Sequence, residues 1–273
     1  PGGVRPDEIP QPRGFALKIM DVEGERLLDG DEGRNQDFLM VNLSELAFGD
    51  IPGYKKLLPL LERRATSPAG LQRAGAALGR GLESAVQATG RKAPLAVESL
   101  ASTHDHLLGE TYYSQGALRF GDHVAKISVT PSSPNARALT GKAMKGLSQS
   151  GIEAAVAEVM RDQAVSFDLR AQLCTDVQRM PVEDASVAWD EDESPFEVLG
   201  TLTGPAQETF SDERRVWADD VLSFSPWNGV QAHQPLGSIM RIRRHVYQVS
   251  SDRRHRLNAI DRSEPRSASD VPA

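Results

Sequence analysis

Hydrophobic and polar residues alternate most clearly in the second half of the chain. Between residues 165 and 173 every second residue is apolar, a period of two that is typical of a strand with one buried face. A similar alternation covers 196–202. Apolar runs at 15–20 and 37–42 predict two neighbouring antiparallel strands. A longer segment, 117–129, predicts strand structure with a break at Gly121 and Asp122.

A period of three to four predicts helices at 54–88 and 152–160. Residues 132–150 are rich in Ser, Gly and Lys and predict a connecting loop, whereas 101–116 shows no clear pattern. A final helix is expected at 241–258. Because helices and strands do not alternate regularly, the order favours an α+β antiparallel or β-barrel body over a doubly wound sheet.

Composition narrows the class of protein. Hydrophobic residues make up 39% and charged residues 25% of the 273 residues, which is ordinary globular usage. The net charge of -7 offers no general basic surface for nucleic acid. Since no apolar run reaches about 18 residues, we expect no membrane span and a soluble protein, cytoplasmic or periplasmic. The single cysteine, Cys174, excludes an intrachain disulfide and a cysteine-based zinc site.

Arginines are concentrated near the C-terminus. On a helix, Arg243 and Tyr247 would share one face, which Ser251 and Arg254 would continue. A guanidinium against a phenol oxygen favours the phenolate, a competent ligand for ferric iron, and further guanidinium groups suit the propionates of haem. The spacing alone equally allows an amphipathic surface helix with solvated arginines and a tyrosine packed in the core.

Several segments resemble the haem catalases, in the order in which that family has them. The proximal helix of these enzymes carries an arginine four residues before the ligand tyrosine and then an Arg-His-Arg-Leu run, here Arg243, Tyr247 and 254–257. The likeness covers roughly residues 12–258. Its other segments are an Arg-Gly-Phe-Ala strand at 13–16, a second signature at 113–126, and stretches typical of small catalase-like haem proteins at 181–186, 189–196, 224–228 and 235–237.

The resemblance implies a fold and a cofactor. We expect a catalase-like antiparallel β-barrel with flanking helices, with haem b (iron protoporphyrin IX) buried against the C-terminal helix and Tyr247 as the iron ligand. The haem-binding domain would cover residues 1–262, followed by a disordered tail at 263–273 that is rich in Ser, Pro and charge.

The resemblance also assigns the remaining site residues. Asn35 would be the distal catalytic asparagine, Arg243 would assist as the second catalytic residue, and Phe48 would stack on the macrocycle. Arg254 and Arg256 are both candidates for a propionate, because the spacing after the tyrosine is one residue longer than in the family.

The distal histidine of the family lies well upstream of the Arg-Gly-Phe-Ala strand. Only twelve residues precede Arg13, and none is a histidine. We therefore expect an N-terminal companion chain to supply the histidine, or that segment to have been lost. His104 and His106 form the only alternative metal cluster, and two histidines without a third ligand are better interpreted as part of a polar loop.

The function implied is that of a haem-dependent peroxidase or catalase acting on hydrogen peroxide or organic hydroperoxides. One alternative is a haem enzyme that rearranges fatty-acid hydroperoxides or processes another organic substrate. The other is a non-catalytic haem-binding subunit completed by another chain. A homo-oligomer is compatible with each of the three.

Overall fold

Seven antiparallel strands form one curled sheet. The computed structural model describes residues 7, 11–28, 33–66, 105–144 and 151–272. The strands pair in the order β1-β2-β3-β5-β6-β7, with β4 beside β5. Their bounds are β1 Gly14–Ile19, β2 Gln36–Val41, β3 Tyr112–Tyr113, β4 Leu118–Phe120, β5 His123–Pro131, β6 Val165–Leu173 and β7 Phe196–Gly204.

Helices flank the sheet along the chain. They are α1 Ile51–Thr66, α2 Pro134–Arg137, α3 Gly151–Met160, α4 Asp212–Val216 and α5 Ser238–Asn258, and a π-helical turn, Trp217–Val221, continues α4. The predicted helix at 54–88 is confirmed in its first part, and residues 67–88 lie outside the described residues. Within the described ranges, no helix combines the length and the apolar character needed to traverse a bilayer.

The core lies on one face of the central strands. In the β5–β6 register Ile127 faces Ala171 and Val129 faces Leu169. Ile127 is 2% exposed and Val129 is completely buried. The helix α3 covers this face through Val156, Val159 and Met160. The alternation at 165–173 therefore has the predicted cause, because β6 turns its apolar residues toward this core.

The sheet is an open half-barrel rather than the closed barrel that we expected. Strands β1 and β7 lie at the two ends of the pairing order, and among the described residues β7 pairs with β6 alone. Most of β7 is exposed, including Val198 and Leu199. The predicted α+β antiparallel architecture is confirmed, but closure is not.

Two short elements differ from the sequence-based expectation. The unpatterned stretch before residue 117 contains β3, whose two residues are too few to show a period. The segment 132–150, predicted as a loop, contains the single-turn helix α2 in its described part. Both elements are shorter than the windows in which periodicity can be recognised.

Candidate functional site

The helix α5 is anchored at its two ends. It begins after Gly237, whose φ of +87° suits glycine, and a Cβ there would lie 2.6 Å from the Val182 carbonyl oxygen. Ile239 and Met240 are buried in the first turn. The helix ends at Ala259 in the left-handed conformation, and its amide donates to the carbonyl of His255.

The middle of α5 is much less covered. Ile242, Val246 and Val249 are 40%, 52% and 51% exposed. Since a surface helix normally turns such residues toward a core, this stretch carries unpartnered apolar surface within the described residues. It is also the stretch that holds the predicted iron ligand.

Arg243 and Tyr247 meet as the spacing predicts. The guanidinium Nη2 donates to the Tyr247 hydroxyl at 2.9 Å, and the guanidinium carbon lies 5.1 Å from the centre of the tyrosine ring. A cation that donates to a phenol oxygen stabilises negative charge on that oxygen. The contact places a cationic donor on the phenol oxygen, while iron ligation itself stays a prediction.

An apolar cavity of about 570 Å³ opens beside this pair and is called the Tyr247 cavity below. Its size falls within the usual range for sites that hold small molecules and cofactors. Phe48 is part of its wall, with its ring 4.9 Å from that of Tyr54. The wall comes from β1, β2, the segment before α1, the first turn of α1, Gln115 and α5. It includes Phe15, Ala16, Leu39, Met40, Val41, Leu46, Tyr54, Ile239, Ile242, Arg243 and Val246.

A smaller and more polar pocket adjoins the other side of the tyrosine. This Arg254 pocket, of about 240 Å³, is lined by Ser223, Phe224, Val246, Tyr247, Ser250, Ser251 and Arg254. Arg254 Nη2 donates to the Ser223 hydroxyl at 2.8 Å and to the Leu222 carbonyl at 2.7 Å. Its Nε is buried and has no hydrogen-bond partner among the described residues.

Solved structures with the same architecture are catalases. A fungal catalase matches with a TM-score of 0.63 and 16% identity, over 94% of this chain and 50% of the catalase chain. Catalase A from Saccharomyces cerevisiae has a TM-score of 0.62 with 14% identity, over 93% of this chain and 51% of its own. A bacterial catalase has a TM-score of 0.56 with 12% identity, over 90% of this chain and 46% of its own.

The chain has the fold of the catalases. It spans about half the length of the catalase chains that it matches. No protein-family model and no curated protein matches the sequence, so the shared property is the fold.

Within this catalase fold, the two cavities suit the two parts of a haem. The macrocycle is apolar, and the propionates at one edge are anionic. The Tyr247 cavity is mostly apolar, the Arg254 pocket holds an unpartnered guanidinium nitrogen, and the two share Val246 and Tyr247. The residues present therefore fit the group. Among the described residues, no cluster of His, Cys, Asp and Glu offers a separate metal site, and His104 lies outside them.

Arg256 is not brought to the site. It lies nine residues after Tyr247, which at 3.6 residues per turn places it on the opposite side of α5. It is exposed and faces a separate pocket beside Asp252 and Ala259. Arg254, two full turns after the tyrosine, is the residue that shares its face. Arg254 thus lines a pocket with Tyr247 and Arg256 lines a different one, while the propionate role of either stays a prediction.

Asn35 is also outside the lining of the Tyr247 cavity. It is 3% exposed, and its amide donates to the Pro265 carbonyl at 2.9 Å and to Glu264 Oε2 at 3.3 Å. The distal role assigned by resemblance stays a prediction, and the structure does not bring this residue together with Tyr247.

Buried charges hold the segment that covers Asn35. Lys18 Nζ contacts Asp37 Oδ1 and Glu264 Oε2, each at 2.7 Å. Burial raises the pKa of Asp37 above its ordinary value, although Lys18 opposes the rise. Burial would also raise the pKa of Glu264, but Lys18 and Arg262 together hold it below its ordinary value. The stretch predicted as a disordered tail contains these contacts and a 3-10 helix, Ala268–Asp270.

Several site residues were missed from the sequence. Met240 lies two turns before Tyr247 on the same face, and its position in the helix could have revealed it. Ile242 and Val246 could have been recognised as apolar positions that belong to neither the core nor the basic face. Ser223 lies far from α5 in the sequence, and no local pattern marks its contact with Arg254.

Proposed function

We propose that the protein is a haem-dependent enzyme that acts on hydrogen peroxide or an organic hydroperoxide. One observation carries the proposal. The phenol of Tyr247 receives a hydrogen bond from Arg243 where an apolar cavity meets a cationic pocket, in a chain with the catalase fold. When bound, haem b would supply the ferric centre at which a peroxide bond is cleaved.

The residues of the chain have separate tasks in this proposal. Tyr247 would hold the iron through its phenol oxygen, to which Arg243 donates. Arg254 would offer its unpartnered Nε to a propionate carboxylate. Phe48 contributes an aromatic wall against the macrocycle. We also propose that an N-terminal companion chain supplies the histidine that transfers protons. Asn35 is proposed as a second catalytic residue.

The apolar wall favours a second candidate substrate. Leu46, Ile242 and Val246 line the cavity beside the tyrosine, and such a surface binds an alkyl chain better than it binds water or hydrogen peroxide. A fatty-acid hydroperoxide would place its chain against the part of this wall that the macrocycle leaves uncovered, and the enzyme would then rearrange it. This substrate class uses the same tyrosine and the same arginines.

The decisive experiment compares substrates on the haem-loaded protein. Oxygen evolution from hydrogen peroxide supports a catalase, oxidation of a reducing dye supports a peroxidase, and consumption of a lipid hydroperoxide without dye oxidation supports rearrangement. Bound haem without turnover of any of the three would contradict an enzymatic role and favour a haem-binding subunit. Mass spectrometry of the purified material shows whether a companion chain is present.

A matched pair of arginine variants tests the assigned chemistry. Arg243→Gln removes the donor to the tyrosine and should lower turnover by roughly 10- to 100-fold, the usual effect of losing a partner of a metal ligand. Arg241→Gln removes a neighbouring arginine on α5 whose contact is Glu183, at 2.9 Å. Turnover should be unchanged in this control. Equal activity in both variants would contradict the role of Arg243.

A further inference from the structure

The guanidinium of Arg243 makes a second contact, to a thioether. While Nη2 donates to the Tyr247 hydroxyl at 2.9 Å, Nη1 donates to the Met240 sulfur at 3.3 Å. Within the described part of the chain, these are the two side chains that Arg243 hydrogen-bonds. The three residues lie along one face of α5, at positions i, i+3 and i+7.

Met240 is buried and closely packed. It is 6% exposed, and its carbonyl accepts a hydrogen bond from Trp227 Nε1 at 2.7 Å. Its side chain fills the space beside Gly116, where a Cβ would lie 2.7 Å from Met240 Cγ and 2.8 Å from the sulfur. A methionine side chain has three rotatable bonds, so this packing is what fixes the sulfur at one place.

Arg243, by contrast, borders an open cavity. It is only partly buried, and water can reach that side of the guanidinium. If the tyrosine were its single partner, the guanidinium group could rotate and break its hydrogen bond to the phenol oxygen. A second acceptor on the other nitrogen removes that freedom, because the planar group must then satisfy both directions at once.

We propose that Met240 is a positioning residue, whose buried sulfur aligns the Arg243 guanidinium on the Tyr247 hydroxyl, and that Gly116 provides the space for it. Met240 acts through Arg243 and does not itself contact the cofactor. The alignment is a property of the chain alone, whereas its consequence for haem rests on the proposed function.

The first test needs no haem. In the full chain, NMR of the Arg243 side chain should resolve its two Nη nitrogens, because a guanidinium held by two hydrogen bonds rotates slowly. Met240→Leu keeps the size and removes the acceptor, and should average the two signals. Met240→Gln offers an amide oxygen at a similar reach and should restore them. Resolved signals in Met240→Leu would overturn the alignment.

The second test is a double-mutant cycle on haem affinity. Met240→Leu should weaken haem binding by roughly tenfold, as expected for a residue that supports a metal ligand. In a Tyr247→Phe background the same substitution should change the affinity by less than about twofold, because the phenol oxygen is gone. Gly116→Ala, which displaces the sulfur, should reproduce both results.

A second buried methionine, Met160, provides the control. Met160→Leu changes another buried methionine, which packs against Gly204 and Val165, and should leave haem affinity unchanged. An equal loss from Met240→Leu in both backgrounds would mean simple packing and would overturn the positioning role. If Tyr247→Phe itself left haem binding unchanged, the proposed function would fail, while the NMR result would still decide the alignment.

Discussion

Apolar side chains are buried at the centre of the sheet but are exposed in the middle of the helix α5. In the sheet, Ala125 and Val129 are completely buried, and neighbouring strands and α3 cover them. On α5, Val246 and Val249 are about half exposed, and Val246 lines the Tyr247 cavity. Covering such a side chain would contribute on the order of 1 kcal/mol. The centre of the sheet is therefore covered by the chain itself, whereas α5 carries surface suited to a further group.

One buried cluster of charges and the Arg254 pocket differ in a similar way. Lys18, Asp37 and Glu264 satisfy one another inside the fold. In the Arg254 pocket a guanidinium nitrogen has no partner among the described residues. Each of the following predictions tests whether stability resides in the sheet and its buried charges, and binding in α5.

The largest loss of stability should come from the buried ion pair. Asp37 is fully buried and accepts hydrogen bonds from Lys18, the Ser225 amide and the Asn228 side chain. We predict that Asp37→Ala lowers the free energy of unfolding by about 3–5 kcal/mol, because Lys18 keeps only Glu264 as a counter-charge and the Ser225 and Asn228 donors lose their buried acceptor. Denaturant unfolding measures it. Arg215→Ala breaks an exposed pair with Asp212 and should cost less than about 1 kcal/mol; equal losses would contradict the prediction.

Truncation in the sheet core should follow closely. Ile127 is 2% exposed and lies in β5 opposite Ala171. We predict that Ile127→Ala lowers the free energy of unfolding by about 2–5 kcal/mol, since it removes apolar contacts and leaves a cavity. Urea unfolding followed by circular dichroism measures the loss. A loss below about 1 kcal/mol would mean that the sheet is not the stable half of the molecule.

Stability should rise with pH through one buried lysine. Burial lowers the pKa of Lys126 to about 8, although Glu45 and Asp184 oppose the shift. Above that value the folded protein releases the proton, while the unfolded chain keeps it up to about 10.5, so the unfolded state binds more protons in this window. The folded state is therefore favoured increasingly between pH 8 and 10.5, by roughly 3 kcal/mol in all.

The variant Lys126→Met isolates that contribution. It lacks the titrating amine. The unfolding free energy of the native protein minus that of the variant should therefore increase as the pH rises above 8. Other groups titrate equally in both proteins and cancel in the difference. A difference that does not change with pH would contradict the lowered pKa.

The smallest effect should come from the exposed stripe of α5. Val249 is 51% exposed, and we predict that Val249→Ala changes the free energy of unfolding by no more than about 0.5 kcal/mol. The same denaturant series used for Ile127→Ala provides the measurement. A loss comparable to that of Ile127→Ala would mean that α5 packs as part of the core, and the contrast between the two regions would disappear.

Local patterns predicted the parts of the fold in which apolar residues face the core and polar residues face away from it. The strand β6 matches the predicted 165–173 because its apolar residues face one core and its polar residues face away. The two-residue β3 escaped detection because its one pair with β2 and its two pairs with β5 are contacts between distant segments. The open edges of the sheet could not be foreseen either, since pairing order is not a local property.

In the candidate site, too, local contacts could be predicted and contacts between distant segments could not. Arg243 and Tyr247 meet because both lie on one helix, and helical geometry alone sets their spacing. That geometry also distinguishes Arg254 from Arg256, which the sequence comparison had left open. Asn35 is different, because its surroundings are set by Glu264 and Pro265, more than 220 residues later. No spacing rule relates those segments.

The central claim is that Tyr247 ligates the iron of a bound haem, and its most direct test is an absorption titration with ferric haem. We predict a high-spin ferric Soret band in the native protein that is lost in Tyr247→Phe. The band should remain in Tyr54→Phe, because Tyr54 also lines the cavity but the hydrogen bond from Arg243 to Tyr247 is kept in that variant. An unchanged Soret band in Tyr247→Phe would contradict the account.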